Sequence, residues 1–403
     1  MPMPLEGIRV LDWTIWQQGP VCSAILGDLG ADVIKIEERV GGDPGRGMLR
    51  LAGLEMTDRP NFYFSANNRN KRGITLDLKK PEAKEIVYRL AACSDVFVQN
   101  YRKGVAERLG IGYQDLKKHN PKIIYASANG YGPAGPEADR PSYDYLGQAR
   151  SGIMMAAGEP DMPPCAIAGG VADQMGAIML AFGIVTALHA RDRFGVGQEV
   201  NASLLSSMMF LQGLNLAARL ILGSQMPRAS RAWTFNPLWN HYRCADDRWI
   251  ALGMLQADRY WKDFCRAIGA DDLAEDPRFQ DTPTRLANAA DAIASLAATF
   301  EKKPLAEWLE ILKRSGDFIF SAVQSVNELP DDPQVKANGY VVDFEHPTFG
   351  TIQTIGMPFA LSATPGNVRR EAPEFGQHTE EILTEVLRYG WGDVAALREK
   401  EVI

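Results

Sequence analysis

The chain has 403 residues and a formal net charge of -7, and its 46% hydrophobic and 23% charged residues are typical of a globular protein with a large buried core. The acidic balance disfavours a nucleic-acid surface, because duplex binding normally needs a basic face. Five cysteines without a C-x-x-C spacing argue against a disulfide framework and against a sulfur-ligated metal site. No signal-peptide pattern opens the chain and no apolar run approaches the roughly 18 residues of a membrane span, so we expect a cytoplasmic protein that does not enter a membrane.

The N-terminal part of the chain alternates strand patterns with helical segments. A helical stretch, "VCSAILGDLG", separates the first two strand patterns, and "PEAKEIVYRLAAC" separates two later ones. Strands alternating with helices predict a parallel sheet covered by helices, and therefore an α/β fold. The predicted strands are "IRVLDW" (8–13), "DVIKIE" (32–37), "GITLDL" (73–78), "DVFVQN" (95–100) and "KIIYASANGYG" (122–132).

Composition changes divide the rest of the chain. Residues 174–192 form a long apolar helical segment that ends in basic residues and glycines. Near residue 228 the sequence becomes rich in aromatic residues and then returns to helical patterns. We predict a large domain that begins with residues 1–224, a smaller α+β domain at 225–330, and a C-terminal segment, 331–403, that returns to the large domain.

One carboxylate stands out in an apolar stretch. Asp173 is the only charged residue of "AIAGGVADQMGAIMLAFG" (166–183), just before the long helix. An Asp at this position is a good N-cap, and from position alone that interpretation is favoured. The preceding Gly169 and Gly170, however, let another group approach the backbone closely. The carboxylate can then act as a nucleophile toward an acyl carbon, with backbone N–H groups stabilising the oxyanion.

Two basic stretches place Arg or Lys beside a predicted strand end, where open α/β sheets bind ligands. They are "NNRNKRGITLDLKK" (67–80) and "QNYRKGVAERLG" (99–110). Their Arg and Lys side chains can hold phosphates, with Tyr101 stacking on a base, although solvated charged loops explain the same pattern. The fingerprints G-x-G-x-x-G at the first strand, G-x-x-x-x-G-K-[ST], H-E-x-x-H and G-x-S-x-G are absent, and the five histidines are scattered, so we expect no metal.

These stretches together resemble a known family. The order "GIRVLDWT", "QGP", "LGADVIKIE", "NRNKRGITLDLK", "QNYRKGVAERLGIGYQDLKKHNPKIIYASANGYGPAGP", "YDYLGQARSG", "AD", "GVGQEVNASLL" and "FGQHTEEIL" closely resembles the family III CoA-transferases. This is the CaiB/BaiF group, which includes formyl-CoA and carnitine CoA-transferases. The resemblance extends over nearly the whole chain.

The resemblance implies that Asp173 is the catalytic nucleophile. Its carboxylate would attack an acyl-CoA thioester to give a mixed anhydride, and the CoA thiolate would then form an aspartyl-CoA thioester and release the donor acid. An acceptor carboxylic acid would reverse these steps and leave as its CoA thioester. Succinyl-CoA is the candidate donor because it is common in the family, and no tightly bound cofactor or metal is implied.

The resemblance also assigns residues to CoA binding. One family arginine is Glu38 in this chain, so Arg39 beside it is the candidate replacement. The glycine-rich loop of formyl-CoA transferase is replaced by "IALGMLQADRYW", which argues against oxalate as the acceptor. The residues assigned to CoA are Gln17, Gln18, Arg39, Leu76, Asp77, Leu78, Lys79, Asn100, Tyr101, Arg102, Arg108, Tyr143 and Asp144.

The family implies a Rossmann-like large domain, a small domain and two subunits interlocked like chain links. We expect a homodimer, with a hetero-oligomer containing a paralogous subunit as the alternative. The same fold also serves acyl-CoA racemases, which use a histidine where this chain has Tyr143, and a tyrosine with its ordinary pKa near 10 is a poor base at neutral pH. A non-catalytic CoA-binding partner subunit is the third hypothesis, and the retained Asp173 argues against it.

Overall fold

The structure is a computed structural model that describes residues 1–48, 50–51, 54–55 and 60–403. Its strands, in chain order, are β1 (Arg9–Trp13), β2 (Asp32–Glu38), β3 (Arg50–Leu51), β4 (Leu54–Glu55), β5 (Lys71–Leu76), β6 (Val96–Gln99), β7 (Ile124–Asn129), β8 (Gln198–Ser203), β9 (Trp239–Arg243), β10 (Trp249–Gly253), β11 (Phe320–Ala322), β12 (Val341–His346) and β13 (Gly350–Ile355).

The α-helices, again in chain order, are α1 (Gln18–Asp28), α2 (Phe62–Asn68), α3 (Pro81–Ala92), α4 (Val105–Leu109), α5 (Tyr113–His119), α6 (Asp144–Ser151), α7 (Ile153–Ala156), α8 (Val171–Phe194), α9 (Leu204–Leu211), α10 (Gly213–Leu222), α11 (Ala257–Ala267), α12 (Asp271–Glu275), α13 (Thr282–Ala287), α14 (Ala289–Phe300), α15 (Leu305–Ser315), α16 (Pro333–Ala337), α17 (Thr379–Glu381) and α18 (Trp391–Glu399). Short 3-10 turns lie at Pro44–Gly47, Pro277–Phe279 and Val326–Asp331, and a π turn lies at Ile382–Val386.

A six-stranded parallel sheet in the order β5-β2-β1-β6-β7-β8 organises the fold. Helices cover both of its faces, which explains why its central strands read as nearly continuous apolar runs. The remaining sheets are small and antiparallel: β11-β10-β9, β12-β13 and β3-β4. The α/β class with a parallel sheet and a further α+β part, predicted from the sequence, is confirmed.

Strand order creates a ligand-binding position. From β1 the chain first runs to β2 on one side and later places β6 on the other side of β1. In open α/β sheets the crevice beyond the carboxyl ends of such strands is where ligands bind. The loops that follow β1 and β6 therefore meet at the position where the fold favours a site.

The contacts divide the described residues into two compact units. The first comprises Met1–Met154, Ala166–Gln225 and Pro333–Ile403, and the second comprises Met155–Cys165 and Met226–Asp332. No sequence pattern indicated the short excursion of residues 155–165 into the second unit. Within that unit, the guanidinium of Arg228 donates hydrogen bonds to backbone oxygens of the excursion, which holds it in place.

The core of the first unit lies on the two faces of the parallel sheet. On one face the sheet packs against α3, α5 and the C-terminal residues, of which Ile382, Leu383 and Leu397 are buried. On the other face it packs against α1 and α8. The Asn70 carboxamide accepts hydrogen bonds from the backbone of Arg369 and Arg370, which ties the returning C-terminal segment to the start of β5.

Helix α8 is long and apolar. Among the described residues it is the one single helix that meets the length and hydropathy criterion for a membrane span, with a mean hydropathy of 1.7 over its most apolar window, of which 44% is buried. This differs from the sequence-based expectation that no segment approaches such a span. α9 and α10, bent by 78° at their junction, meet the criterion only as a pair. The inward face of α8, with Ala177, Leu180 and Ile184, packs against the sheet, as in a core helix.

Candidate active site

A cleft of about 330 Å³ opens at the carboxyl ends of β1, β6 and β7. Its walls come from the loops that follow these three strands, from the segment before α6 and from the start of α8. The loops after β1 and β6 are bonded to each other, since Asn100 accepts a hydrogen bond from the Ile15 N–H at 2.9 Å and donates one to the Ile15 carbonyl at 2.7 Å. The cleft therefore lies at the position that the strand order favours.

The loop after β1 is held in a strained conformation. Trp16 has a φ of 66°, in the left-handed region that costs a bulky residue about 1–2 kcal/mol. Asp43 accepts a hydrogen bond from the Trp16 N–H at 3.1 Å, and the ammonium of Lys35 bridges Asp43 and the Thr14 carbonyl at 2.9 Å each. This fully buried ion pair fixes the loop that presents Gln17 to the cleft.

A second buried ion pair lies beneath the same loop. The Lys71 ammonium contacts the Asp12 carboxylate at 2.7 Å, and both side chains are fully buried. Burial lowers the pKa of Lys71 to about 8, although Asp12 acts in the opposite direction. Burial by itself would raise the pKa of Asp12, but the positive charges of Lys71 and Lys35 outweigh it and lower that pKa. The charges under the cleft are thus paired by residues from β1, β2 and β5.

Asp173 lies at the start of α8 without serving as its N-cap. The N-cap is Gly170, which has a φ of 68° and no side chain to offer. Asp144 takes the capping role, because its Oδ1 accepts hydrogen bonds from the N–H groups of Ala172 at 2.7 Å and Asp173 at 3.2 Å. The interpretation of Asp173 as an N-cap is therefore wrong, and within the described part of the chain its own carboxylate accepts no hydrogen bond.

The Asp173 carboxyl group has an unusual acidity. Burial, and to a smaller extent the negative charge of Asp144, raises the pKa of Asp173 from 3.8 to about 7. A strongly shifted carboxyl group in a cleft is a frequent mark of a functional site. Tyr63 lies close enough to be affected in turn, since burial and then the charge of Asp173 raise the pKa of Tyr63.

The glycines before α8 bring the cleft glutamine against the backbone. Gly169 and Gly170 both have positive φ, and a Cβ on Gly170 would lie 2.5 Å from the Gln17 side-chain amide. A side chain at position 170 would therefore displace Gln17. The glycine turn packs the Gln17 amide against the entry to the helix that carries Asp173.

Seven of the residues assigned from the sequence come together in the cleft: Gln17, Gln18, Asn100, Tyr101, Arg102, Tyr143 and Asp173. Gln18 is nevertheless buried, with its amide near the Ala202 carbonyl at 3.4 Å. One face of Tyr101 is already stacked on Trp13, with ring centroids 4.0 Å apart, so that face is not available to a base. Asp144 does not line the cleft but caps the adjoining helix.

The other assigned residues, Arg39, Leu76, Asp77, Leu78, Lys79 and Arg108, do not line the cleft. The side chains of Leu76 and Leu78 lie in the core, so they can offer a ligand only their backbone. Arg39 forms an ion pair with Glu401 at 3.0 Å. The assignment of these positions to CoA stays a prediction.

Sequence reasoning missed several residues of the site. Lys103 and Arg140 line the cleft, and Tyr63 responds to the charge of Asp173. Gln148 was also missed, although its spacing of four residues from Asp144 on a helix indicates a shared face. No group of three or more metal-ligating side chains is present among the described residues.

Comparison with known proteins gives consistent results. The sequence profile of CoA-transferase family III matches residues 5–379. The (R)-2-hydroxy-4-methylpentanoate CoA-transferase of Clostridioides difficile is 32% identical over 94% of this chain and 95% of its own length. The succinyl-CoA:glutarate CoA-transferase of Mus musculus is 34% identical over 98% of this chain and 89% of its own length.

A solved structure agrees with these sequence matches. The crystal structure of a CaiB/BaiF family protein from Brucella suis superposes with a TM-score of 0.84 at 29% identity. The match covers 96% of this chain and 100% of that protein's chain.

Proposed function

Because this chain belongs to CoA-transferase family III, we propose that it transfers CoA from an acyl-CoA thioester to a carboxylic acid through an aspartyl-CoA thioester on Asp173. The resemblance seen in the sequence motifs is confirmed, and the chain is a CoA-transferase. The observation that supports the covalent route is that Asp173 lines the cleft with a pKa raised to about 7 and does not cap its own helix, because Asp144 does so.

The transfer keeps the acyl group activated at each step, first as a thioester and then as an anhydride. The Asp173 oxygen attacks the thioester carbonyl and the C–S bond breaks, which releases CoA as a thiolate and leaves a mixed anhydride of Asp173 and the donor acid. The thiolate then attacks the Asp173 carbonyl carbon and expels the donor acid as its carboxylate, which leaves an aspartyl-CoA thioester. An acceptor carboxylate attacks this thioester and the two steps run in reverse, so neither water nor a net proton is consumed.

The environment of Asp173 suits this role. A carboxylate that burial and a neighbouring negative charge destabilise is a stronger nucleophile than one held by hydrogen bonds. The Gln17 amide packs against the turn before α8, from which it can donate a hydrogen bond to an oxyanion in the cleft. Tyr63 keeps its proton because its pKa is raised, so it is a neutral hydrogen-bond donor near the nucleophile.

Basic residues at the cleft suit the phosphates of CoA. Arg102 and Lys103 lie on the wall formed after β6, and Arg140 lies on the wall before α6. All three are exposed at the cleft. Guanidinium and ammonium groups at the rim of a cleft are the usual partners of phosphate.

Succinyl-CoA is the proposed donor. The mouse relative is named for transfer between succinyl-CoA and glutarate, and a relative from Chloroflexus aurantiacus for transfer from succinyl-CoA to D-citramalate. A set of acyl-CoA donors and carboxylic acid acceptors that includes these compounds defines the first assay.

The proposed assembly is an interlocked homodimer, with a paralogous partner subunit as the alternative. Helix α10 has no buried residue although it is strongly apolar, and Leu214 and Ile221 are 77% and 80% exposed. The outer face of α8 adds exposed Ile178 and Phe182. An apolar surface of this extent supports burial against a second subunit.

The test is the intact mass of the protein after incubation with a panel of acyl-CoA thioesters. We expect the native chain to gain the mass of CoA less one water, and the Asp173→Ala and Asp173→Asn variants to gain nothing. Calorimetry with free CoA is the control, because both variants should still bind it. A CoA adduct on the Asp173→Ala variant, or transfer at the native rate by that variant, would refute the proposed nucleophile.

Two further readouts separate the alternatives. Incubation in D2O checks for deuterium at the α-carbon of the acyl group, which a racemase or epimerase would introduce and a CoA-transferase would not. Transfer by the purified chain alone excludes a role as a non-catalytic partner subunit.

A further inference from the structure

Gln148 is a buried glutamine in α6 whose amide is held at three points. It is only 1% exposed. Its Nε2 donates to Asp144 Oδ2 at 2.7 Å and to the Ile167 carbonyl at 2.9 Å, while its Oε1 accepts from the Ile167 N–H at 2.8 Å. Both N–H donors and the carbonyl oxygen of the amide are therefore used, which fixes the orientation of the side chain.

The first contact orients the cap of α8. Gln148 holds one oxygen of Asp144, and the other oxygen accepts the hydrogen bonds from Ala172 and Asp173. If Asp144 turned away, the first-turn N–H groups would attract the carboxylate of Asp173, the acidic residue of that same turn. A capping carboxylate is turned toward its own helix and is lost as a nucleophile toward the cleft.

The other two contacts fix the chain that leads into α8. Gln148 pairs with both backbone groups of Ile167 in the manner of a strand partner. Ile167 follows directly on Ala166, where the chain returns to the first unit after the excursion of residues 155–165. It also precedes the glycine turn at 169–170 by two residues. One side chain thus sets both the helix cap and the chain entering the helix.

We propose that Gln148 is a positioning residue for CoA transfer. It holds Asp144 as the cap of α8 and fixes the backbone at Ile167, and so keeps the Asp173 carboxylate from capping the helix and directed into the cleft. This inference rests on the proposed role of Asp173 as the nucleophile. Gln148 does not line the cleft and touches no reacting atom, so it acts through Asp144 and the backbone at Ile167.

The experiment compares Gln148→Met with a matched control, Gln212→Met. Methionine keeps the length of the side chain but makes none of the three hydrogen bonds. Gln212 is a half-buried glutamine of the same unit that donates to the carbonyls of Ser151 and Met208 at 3.2 Å, and it has no contact with Asp144. Single-turnover formation of the CoA adduct is followed by intact mass, and free-CoA affinity by calorimetry.

We expect Gln148→Met to slow adduct formation on the order of 10²-fold, as misplacement of a reacting group by about 1 Å can do. Its affinity for free CoA stays within about twofold of the native value. Gln212→Met keeps both the native rate of adduct formation and the native affinity for free CoA. A merely structural role would lower affinity, melting temperature and rate together. If Gln148→Met does not fold, Gln148→Glu is measured in the same way, because it keeps the acceptor for Ile167 but cannot donate to Asp144 when ionised.

A double-mutant cycle tests the path of the effect. If Gln148 acts through Asp144, the rate loss of the double variant Gln148→Met/Asp144→Asn is smaller than the product of the two single losses, because the Gln148–Asp144 hydrogen bond is counted in both. Provided that the native chain forms the adduct, two results would overturn the inference. One is a native rate for Gln148→Met, and the other is a rate loss in the double variant equal to the product of the two single losses. A native chain that forms no adduct with any donor would instead refute the role of Asp173, and the inference about Gln148 with it.

Discussion

Asp144→Asn separates the charge of Asp144 from its hydrogen bonds to the start of α8. The asparagine carbonyl oxygen can still accept from the N–H groups of Ala172 and Asp173, which Asp144 Oδ1 does at 2.7 and 3.2 Å. The negative charge near the nucleophile is lost. We therefore expect the pKa of Asp173 to fall in this variant.

The size of the shift follows from the causes of the raised pKa. The pKa of Asp173 lies about three units above its ordinary value, and burial is a larger cause than Asp144. Asp144 thus accounts for less than half of the rise, and its neutralisation lowers the pKa of Asp173 by about one unit, or about 1.4 kcal/mol. At pH 6 the ionised fraction of Asp173 then increases about fivefold.

The assay is the pH dependence of single-turnover adduct formation between about pH 5 and 9. Only the ionised carboxylate attacks, so the native rate rises with pH and reaches half its plateau near pH 7. In Asp144→Asn the midpoint moves to lower pH. The plateau rate also falls, because the NH2 group of the asparagine cannot accept the hydrogen bond from Gln148. The pH midpoint therefore reports the loss of the negative charge at position 144, and the plateau rate reports the positioning of Asp173. A midpoint that stays at the native value or moves to higher pH would refute the electrostatic reasoning.

Two further predictions concern stability and the glycine turn. Asp173→Asn removes a group whose pKa is raised on folding. The stabilising effect of that group is complete below about pH 4 and is lost as pH rises to about 7. Above pH 7 we therefore expect the free energy of unfolding of the variant, measured in urea, to exceed that of the native chain by about 1–3 kcal/mol, with a smaller difference at pH 5. Gly170→Ala places a methyl group 2.5 Å from the cleft amide at a φ of 68°, and we expect a loss of about 1–2 kcal/mol in stability together with slower transfer by on the order of tenfold. Gly195→Ala, at a φ of 72° with no atom within 4 Å of the added Cβ, is expected to lose similar stability and no transfer activity.

Distinct outcomes would contradict these two predictions. An Asp173→Asn variant that is less stable than the native chain at pH 8 would show that the carboxylate is stabilised in the folded state. Equal transfer rates for Gly170→Ala and Gly195→Ala would show that the packing of Gln17 against the turn has no role in transfer.

Local patterns carried much of the fold and the identity of the family. The strands around "RVLDW" and "DVIKIE" are buried on both faces, so apolar runs mark them without reference to the rest of the chain. The alternation of strand and helix patterns predicted the parallel sheet, and the order of motifs identified the family. Asp173 was conspicuous because a single charge in an apolar stretch needs a reason.

Other features depend on contacts between residues far apart in the chain. Asp144 caps α8 from 29 positions upstream of Asp173, and no local rule can show that a different helix supplies the cap. Local rules also do not show that the sheet buries the side chain of Leu76, or that Arg39 forms an ion pair with Glu401, near the C-terminus.

Local patterns in the sequence were enough to predict five of the six strands of the parallel sheet, the family, and the carboxylate that stands apart in an apolar stretch. Contacts between distant segments instead leave that carboxylate free of a capping role and hold Trp16 at a positive φ. Asp144 accepts a hydrogen bond from the Ala172 N–H and Asp43 accepts one from the Trp16 N–H, and such bonds exist only once the sheet has brought distant segments together.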